Sequence, residues 1–205
     1  TEAIELLNQF KNGEFSESKI AHSVLKTEIC SNGEYNLSGE RYKALTECNT
    51  EFAIVELGDV AKFQQGTQVP KEDQLTNESD GYERFIRIVD YTQKNDDIRY
   101  IPIKESNTRC NKDDVIMVRY GEVGFVGKGI RGVFANNLFS ITPILENLSK
   151  DFLFQVFKSV QFKSFVDRVV LKSSMPAISH KVLKDFKFPL PPLSVQEEIV
   201  AEIES

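Results

Sequence analysis

The chain has 205 residues, with 25 basic and 31 acidic side chains for a formal charge of −6, 40% hydrophobic content and 15 phenylalanines. That is enough for one good-sized core with an appendage and too little for two full domains. No apolar run is long enough to span a bilayer and no basic-plus-apolar leader opens the chain, while Cys30, Cys48 and Cys110 suit neither a disulfide framework nor a metal-ligand spacing, so a cytoplasmic protein with reduced thiols and no membrane contact is expected. Because it starts at Thr1, the chain is expected to be a piece of a longer protein.

Two helices are expected first, Thr1 to Lys11 with Ile4, Leu7 and Phe10 on one face, and Ser18 to Ile29 with Ile20, Val24 and Leu25 on one face, separated by Lys11-Asn-Gly13. From Val55 the texture changes to short apolar runs between polar turns. Val55 to Val60 opens a domain, and Arg84 to Val89, Val115 to Arg119, Phe125-Val126, Val133-Phe134 and Phe139 to Thr142 read as strands by alternation and β-branched content. The polar stretch Gln64 to Gly81 reads as an exposed loop, and Phe152 to Phe157 and Phe162 to Leu171 as helices. Together these give an α+β class, a mixed twisted sheet with packed helices. Pro189, Pro191 and Pro192 then stop the last strand, and Ser194 with Glu197 spells a capping box for a helix from Val195, whose Ile199, Val200 and Ile203 form an apolar stripe.

The charge is not spread evenly. Residues 115 to 192 carry 11 basic and 5 acidic side chains, while 1 to 56 carry 5 and 10, 57 to 114 carry 9 and 12, and 193 to 205 carry 0 and 4. A local basic face is what phosphate-backbone binding needs, and acidic surface elsewhere suits protein partners.

Two candidate DNA contacts fall in the basic segment. The first is a glycine-rich hairpin in which Arg119, Tyr120, Lys128 and Arg131 bracket Gly121, Gly124, Gly127, Gly129 and Gly132; arginine can bond both acceptors of a guanine edge, and lysine and tyrosine suit phosphates. Its Gly127-Lys-Gly-Ile-Arg-Gly132 matches a dinucleotide-binding spelling, but strand rather than helix follows, so no helix N-terminus faces a pyrophosphate. A solvated hairpin with ordinary surface charges is the plain alternative. Asn136-Asn137 can pair with adenine or form a turn, and the turn is favoured. The second candidate is Leu171 to Lys181, where Lys172, Ser173, Ser174, Ser179, His180 and Lys181 can meet phosphates or a base edge. Arg84 and Arg87 lie on opposite faces of their strand, so only one can face DNA, and a structural pair of Arg87 with Asp90 is the favoured reading.

No catalytic signature is present: there is no Asn-Pro-Pro-aromatic motif, glycine-rich cofactor loop or acid cluster with lysine, and His180 has no partner constellation, since His22 is the only other histidine. A protein-interaction module using the acidic N-terminal segment and the C-terminal helix is the rival from another class, and an enzyme with an unrecognised site is a third.

Five words, in order, resemble the target-recognition domain of Type I restriction-modification specificity subunits: Arg84-Phe-Ile-Arg-Ile-Val-Asp90, Asp114-Val-Ile-Met-Val-Arg-Tyr-Gly-Glu-Val-Gly124, Ala135-Asn-Asn-Leu138, Ser174-Met-Pro-Ala-Ile-Ser179 and Leu190-Pro-Pro-Leu-Ser-Val-Gln-Glu-Glu-Ile199. Upstream, Tyr35-Asn-Leu-Ser-Gly-Glu-Arg-Tyr42 is similar to the C-terminal tail of an N6-adenine methyltransferase, with an ordinary two-helix cap as the alternative. The resemblance implies three parts: 1–50 as a methyltransferase tail, 51–192 as a DNA target-recognition domain and 193–205 as the start of a spacer helix. It also implies a non-catalytic reader of double-stranded DNA that works with methyltransferase and endonuclease domains or subunits and with a second recognition domain through the spacer. S-adenosylmethionine and magnesium are then expected only in the associated catalytic domains, and the loop from Lys172 is expected near the recognition surface.

Overall fold

The computed structural model describes residues 2–14, 24, 26–29, 51–93, 96–170 and 177–205. The chain divides into two compact units, Thr1–Asn49 and Thr50–Ser205. In the first, helix α1 (Glu2–Lys11) has Glu2 and Glu5 in its first turn and Lys11 in its last, the arrangement that complements the helix dipole. Gly13, at φ 79°, adopts the left-handed conformation that ends it. Ile4, Leu7 and Phe10 are 53–59% exposed on this helix. A short α2 (Lys26–Ile29) falls within the second expected helix, the rest of which, like the word from Tyr35 to Tyr42, lies mostly or wholly outside the described residues.

The second unit runs β1 (Ile54–Glu56), α3 (Leu57–Val60), β2 (Ala61–Gln65), β3 (Tyr82–Ile86), α4 (Val89–Thr92), β4 (Arg99–Pro102), β5 (Arg109–Cys110), β6 (Val115–Val118), β7 (Val126–Gly127), β8 (Gly132–Phe134), β9 (Leu138–Pro143), α5 (Lys150–Lys158), α6 (Val160–Val170), α7 (His180–Lys184), β10 (Lys187–Pro189) and α8 (Leu193–Glu204). The expected α+β class is borne out, but the strands are divided. One four-stranded sheet has the order β2-β9-β6-β7 and is wholly antiparallel. The other, β4-β3-β8-β5, is mixed because β3 runs parallel to β8. A two-stranded pair, β1 with β10, joins the start of the unit to its end.

The period-two alternation of β6 explains the layering. All four of its residues are buried, with Val115 and Met117 in the core shared with α5 and α6, and Ile116 and Val118 in a second core with Ile86 and Phe134 of the other sheet. Strand β9 repeats the division, with Phe139 and Ile141 on the helical side and Leu138 on the other. One sheet is thus covered by helices on one face and by a second sheet on the other. Burial of each such side chain is worth roughly 1.5–3 kcal/mol.

Two local expectations are corrected. Helix α8 starts at Leu193 with Pro192 at its N-cap and no side-chain cap, so Ser194 does not begin it. The buried Gln196 fastens this turn instead, donating to Asn147 O at 2.7 Å and Pro191 O at 2.8 Å while accepting from Ser149 N at 2.9 Å. The glycine-rich segment is also not a single hairpin. The β6–β7 hairpin closes at Gly127, and residues 128–131 cross from one sheet to the other, where Gly132 enters β8.

Candidate nucleic-acid interface

One end of the β2-β9-β6 sheet gathers four separate segments. Beyond β6, Arg119 N donates to Asn137 O at 2.8 Å, and Ile178 N donates to Arg119 O at 2.9 Å. Tyr120 forms an antiparallel bridge with Ala177. The first candidate's Arg119 and Tyr120 therefore lie beside the Asn136-Asn137 turn and beside Ile178 to Lys181 of the second. Lys172, Ser173 and Ser174 lie outside the described residues, in the stretch that ends at Ala177.

The fourth segment was not singled out from sequence. After β2, Gly66 passes so close to the end of β8 that an added Cβ would lie 2.1 Å from Ala135 O, so glycine is required there. Thr67 N donates to Phe134 O at 2.8 Å, and the Thr67 hydroxyl accepts from Thr108 N at 2.8 Å. These bonds set the exposed Gln68 next to Asn136, whose Nδ2 reaches Gln68 Oε1 at 3.5 Å. Tyr120, 43% exposed, donates from its hydroxyl to Asn136 Oδ1 at 3.4 Å, and Gln65 Nε2 donates to Asn136 O. A single glutamine-rich loop gave no periodic signal; only its pairing with Asn136 makes it part of a surface.

Below this rim His180 opens α7, where the Ser179 hydroxyl accepts from Val182 N at 3.3 Å as the N-cap. The imidazole stacks on Phe63 and meets Phe139 edge-on, and its Nε2 is buried without a hydrogen-bond partner among the described residues. Burial, and then the charges of Arg119 and Lys184, hold its pKa below the usual histidine value. Arg119, Lys181 and Lys184 are exposed and make no ion pair among the described residues.

The other candidate cations are employed differently. Lys128 binds Asp151 at 2.5 Å, sits 3.9 Å from Glu204 and lies over the Phe154 ring, so it faces α5 and α8 and is not brought to Arg119. Arg131 is exposed in the crossing between sheets. Arg87 pairs with Asp90 at 3.3 Å and Asp97 at 3.1 Å, the structural role expected for it. The Asn136-Asn137 turn forms as expected, closed by Leu138 N donating to Ala135 O at 2.9 Å.

Nothing else described offers a stronger site. A cleft of about 490 Å³ between the β6–β7 turn and helices α5 and α6 is lined chiefly by apolar side chains, Val123, Phe125, Phe157, Phe162 and Val166 among them, and by none of the candidate residues. Cys110 is buried, which with the nearby Asp114 charge pushes its thiol up to about 11, the opposite of an activated nucleophile. Among the described residues no cluster of His, Cys, Asp and Glu is placed to hold a metal, and no helix is long and apolar enough to cross a membrane.

The described residues thus form a two-sheet α+β domain that presents an amide-rich, cationic sheet end. The family model of the Type I restriction modification DNA specificity domain matches residues 49–205, and the chain belongs to that family. It is 22% identical over 151 residues to the Type I restriction enzyme MjaVIII specificity subunit of Methanocaldococcus jannaschii, covering 73% of this chain and 34% of that protein. In fold it is similar to the HsdS subunit from Thermoanaerobacter tengcongensis (TM-score 0.57, 22% identity, 75% of this chain and 36% of that one). It is also similar to the S subunit of a Type-I restriction-modification system from M. genitalium (TM-score 0.53, 16% identity, 75% and 39%). The chain spans about a third of the length of these relatives.

Proposed function

We propose that residues 51–192 recognise a specific sequence in double-stranded DNA for a restriction-modification enzyme. The observation that carries this reading is the convergence of Arg119, His180 and Lys181 with a set of amides at one sheet end, where, among the described residues, neither Arg119 nor Lys181 is committed to a carboxylate. Unpaired cations hold phosphates and fix the register of the protein on the duplex; polar side chains between them can reach base edges. Arg119 and Tyr120 stand at the centre, with Lys181 beside them, and Lys172, Ser173 and Ser174 belong to the proposal as phosphate contacts by residue type alone.

The chemistry belongs to partners in the cytoplasm: a methyltransferase that flips the target adenine out of the stack and uses S-adenosylmethionine, and an endonuclease that uses magnesium. Both follow one reader, so methylation and cleavage share a specificity. Helix α8 begins the spacer that leads toward a second recognition domain, and the first 50 residues are the tail of the methyltransferase domain.

Titration of the chain with duplex DNA across a salt series tests the reading. Three phosphate contacts give a slope of log affinity on log salt of roughly −3, since each contributes about −0.9. Absence of binding at low salt would instead favour a protein-interaction module. Incubation with magnesium, S-adenosylmethionine and plasmid DNA should yield neither cleavage nor methyl transfer.

A further inference from the structure

We infer that Asn136, oriented by Tyr120 and Gln68, reads the major-groove edge of an adenine. The inference rests on the DNA-binding reading of this surface and adds to it the base and the atoms.

The turn at Asn136-Asn137 does not use the Asn136 side chain. Its closing bond runs between backbone atoms of Ala135 and Leu138. The amide instead contacts side chains from two distant parts of the chain, Tyr120 at 3.4 Å and Gln68 at 3.5 Å. Both contacts are long, so they orient the group without saturating it. A primary amide has two acceptor lone pairs and two donor protons. Tyr120 takes one lone pair and Gln68 one proton, and among the described residues one of each remains for a ligand.

That remainder matches adenine, which offers an acceptor at N7 and a donor at its N6 amino group. Guanine offers acceptors at both N7 and O6, so the Asn136 oxygen would face another oxygen. The fixed orientation of the amide is therefore what separates the two purines. A freely rotating surface asparagine discriminates less.

Two features argue that the arrangement is built. The chain gives up a side chain at Gly66 so that the following loop can lie against Ala135, and Thr67 pins that loop from both sides. Gln65 further ties the turn down by donating to Asn136 O. The neighbouring Arg119, bonded through its amide to Asn137 O, brings a cation to the same edge where a backbone phosphate flanks a base.

The test is selection of the 205-residue chain on a randomised duplex library, followed by binding to the enriched duplex. The wild type should enrich a motif with at least one fixed adenine, and replacing that adenine by 7-deazaadenine, which lacks only the N7 acceptor, should weaken binding on the order of tenfold. Asn136→Asp and Asn136→Ala should lose the preference at that one position, keep the preferences at the others, and show no 7-deazaadenine penalty. An unchanged motif in both variants, or the same 7-deazaadenine penalty in variant and wild type, overturns the inference. So does an equal loss of affinity on the selected and on a random duplex, which marks a structural role. Enrichment of no motif by a chain that still binds DNA overturns sequence reading by this surface, whereas failure to bind any duplex overturns the DNA-binding reading itself.

Discussion

His180 stacks on Phe63, with 5.6 Å between ring centroids and 25° between ring planes, so the cationic rim of the interface rests on an aromatic floor. Phe139 closes the other side at 4.7 Å. A charged imidazole is poorly accommodated there, with Arg119 beyond β6 and Lys184 on its own helix both facing it.

The pH dependence of stability follows. Because the folded-state pKa of His180 lies below its ordinary value of 6.5, the fold favours the neutral ring, and the stability this contributes is present above about pH 6.5 and lost as pH falls through the lowered value. Urea midpoints of the wild type should drop between pH 7.5 and 5.5 by more than those of His180→Gln. Equal drops in the two proteins would mean that the ring is not held neutral.

Arg119→Ala and Lys181→Ala should each weaken binding to all duplexes and reduce the salt slope by about 1. Lys128→Ala should leave the slope unchanged, because its ammonium is committed to Asp151, and the pair is half-exposed and worth about 0–1 kcal/mol of stability. Salt titrations of the three variants side by side give the answer. A lower slope in Lys128→Ala would return that lysine to the interface.

Much of the fold was legible because its strands are short apolar runs with period-two alternation: Val115 to Arg119 and Phe139 to Thr142 were recognised from that pattern and pair as neighbours. Two-residue β5 and one-turn α7 were not, since elements of that length have no periodicity to detect. The division into two sheets was also hidden, because alternation gives the two faces of β6 but not which elements cover them. For the candidate site, residue type singled out Arg119 and Tyr120 as candidates, while the place of Lys128 depended on its pairing with Asp151 across 23 residues. Gln68 carries no signal until Gly66 and Thr67 fix it against β8.

Gly66→Ala should be costly although it adds one methyl group. Its Cβ would stand 2.1 Å from Ala135 O and 2.5 Å from Phe134 O, both backbone atoms that cannot rotate away. Overpacking of this kind costs about 1–3 kcal/mol. Denaturant unfolding measures that loss, and the library motif should degrade at the adenine position as Gln68 moves. A fully stable Gly66→Ala protein with an unchanged motif would show that the loop is not held against β8.

The last prediction concerns the start of α8. Gln196 is fully buried and its amide satisfies two carbonyls, Asn147 O and Pro191 O, together with the amide of Ser149, the N-cap of α5. Ile199 and Val200 pack against the domain core, while Ile203 is 56% exposed, so one face of the helix is docked. Glu204 marks the far end of that contact, 3.2 Å from Gln155. Gln196→Leu keeps approximate volume but takes the partner from the buried Pro191 O and from the less buried Asn147 O and Ser149 N, and a buried group left unsatisfied costs about 1–3 kcal/mol. Partial hydration lowers the sum, and a loss of about 2–4 kcal/mol is expected. Hydrogen exchange should then quicken along Leu193–Glu204 more than along β6, because the lost bonds hold the helix and not the sheet. A uniform quickening would mean that α8 and the core unfold as one unit, and no change in either would show that Ile199 and Val200 alone dock the helix.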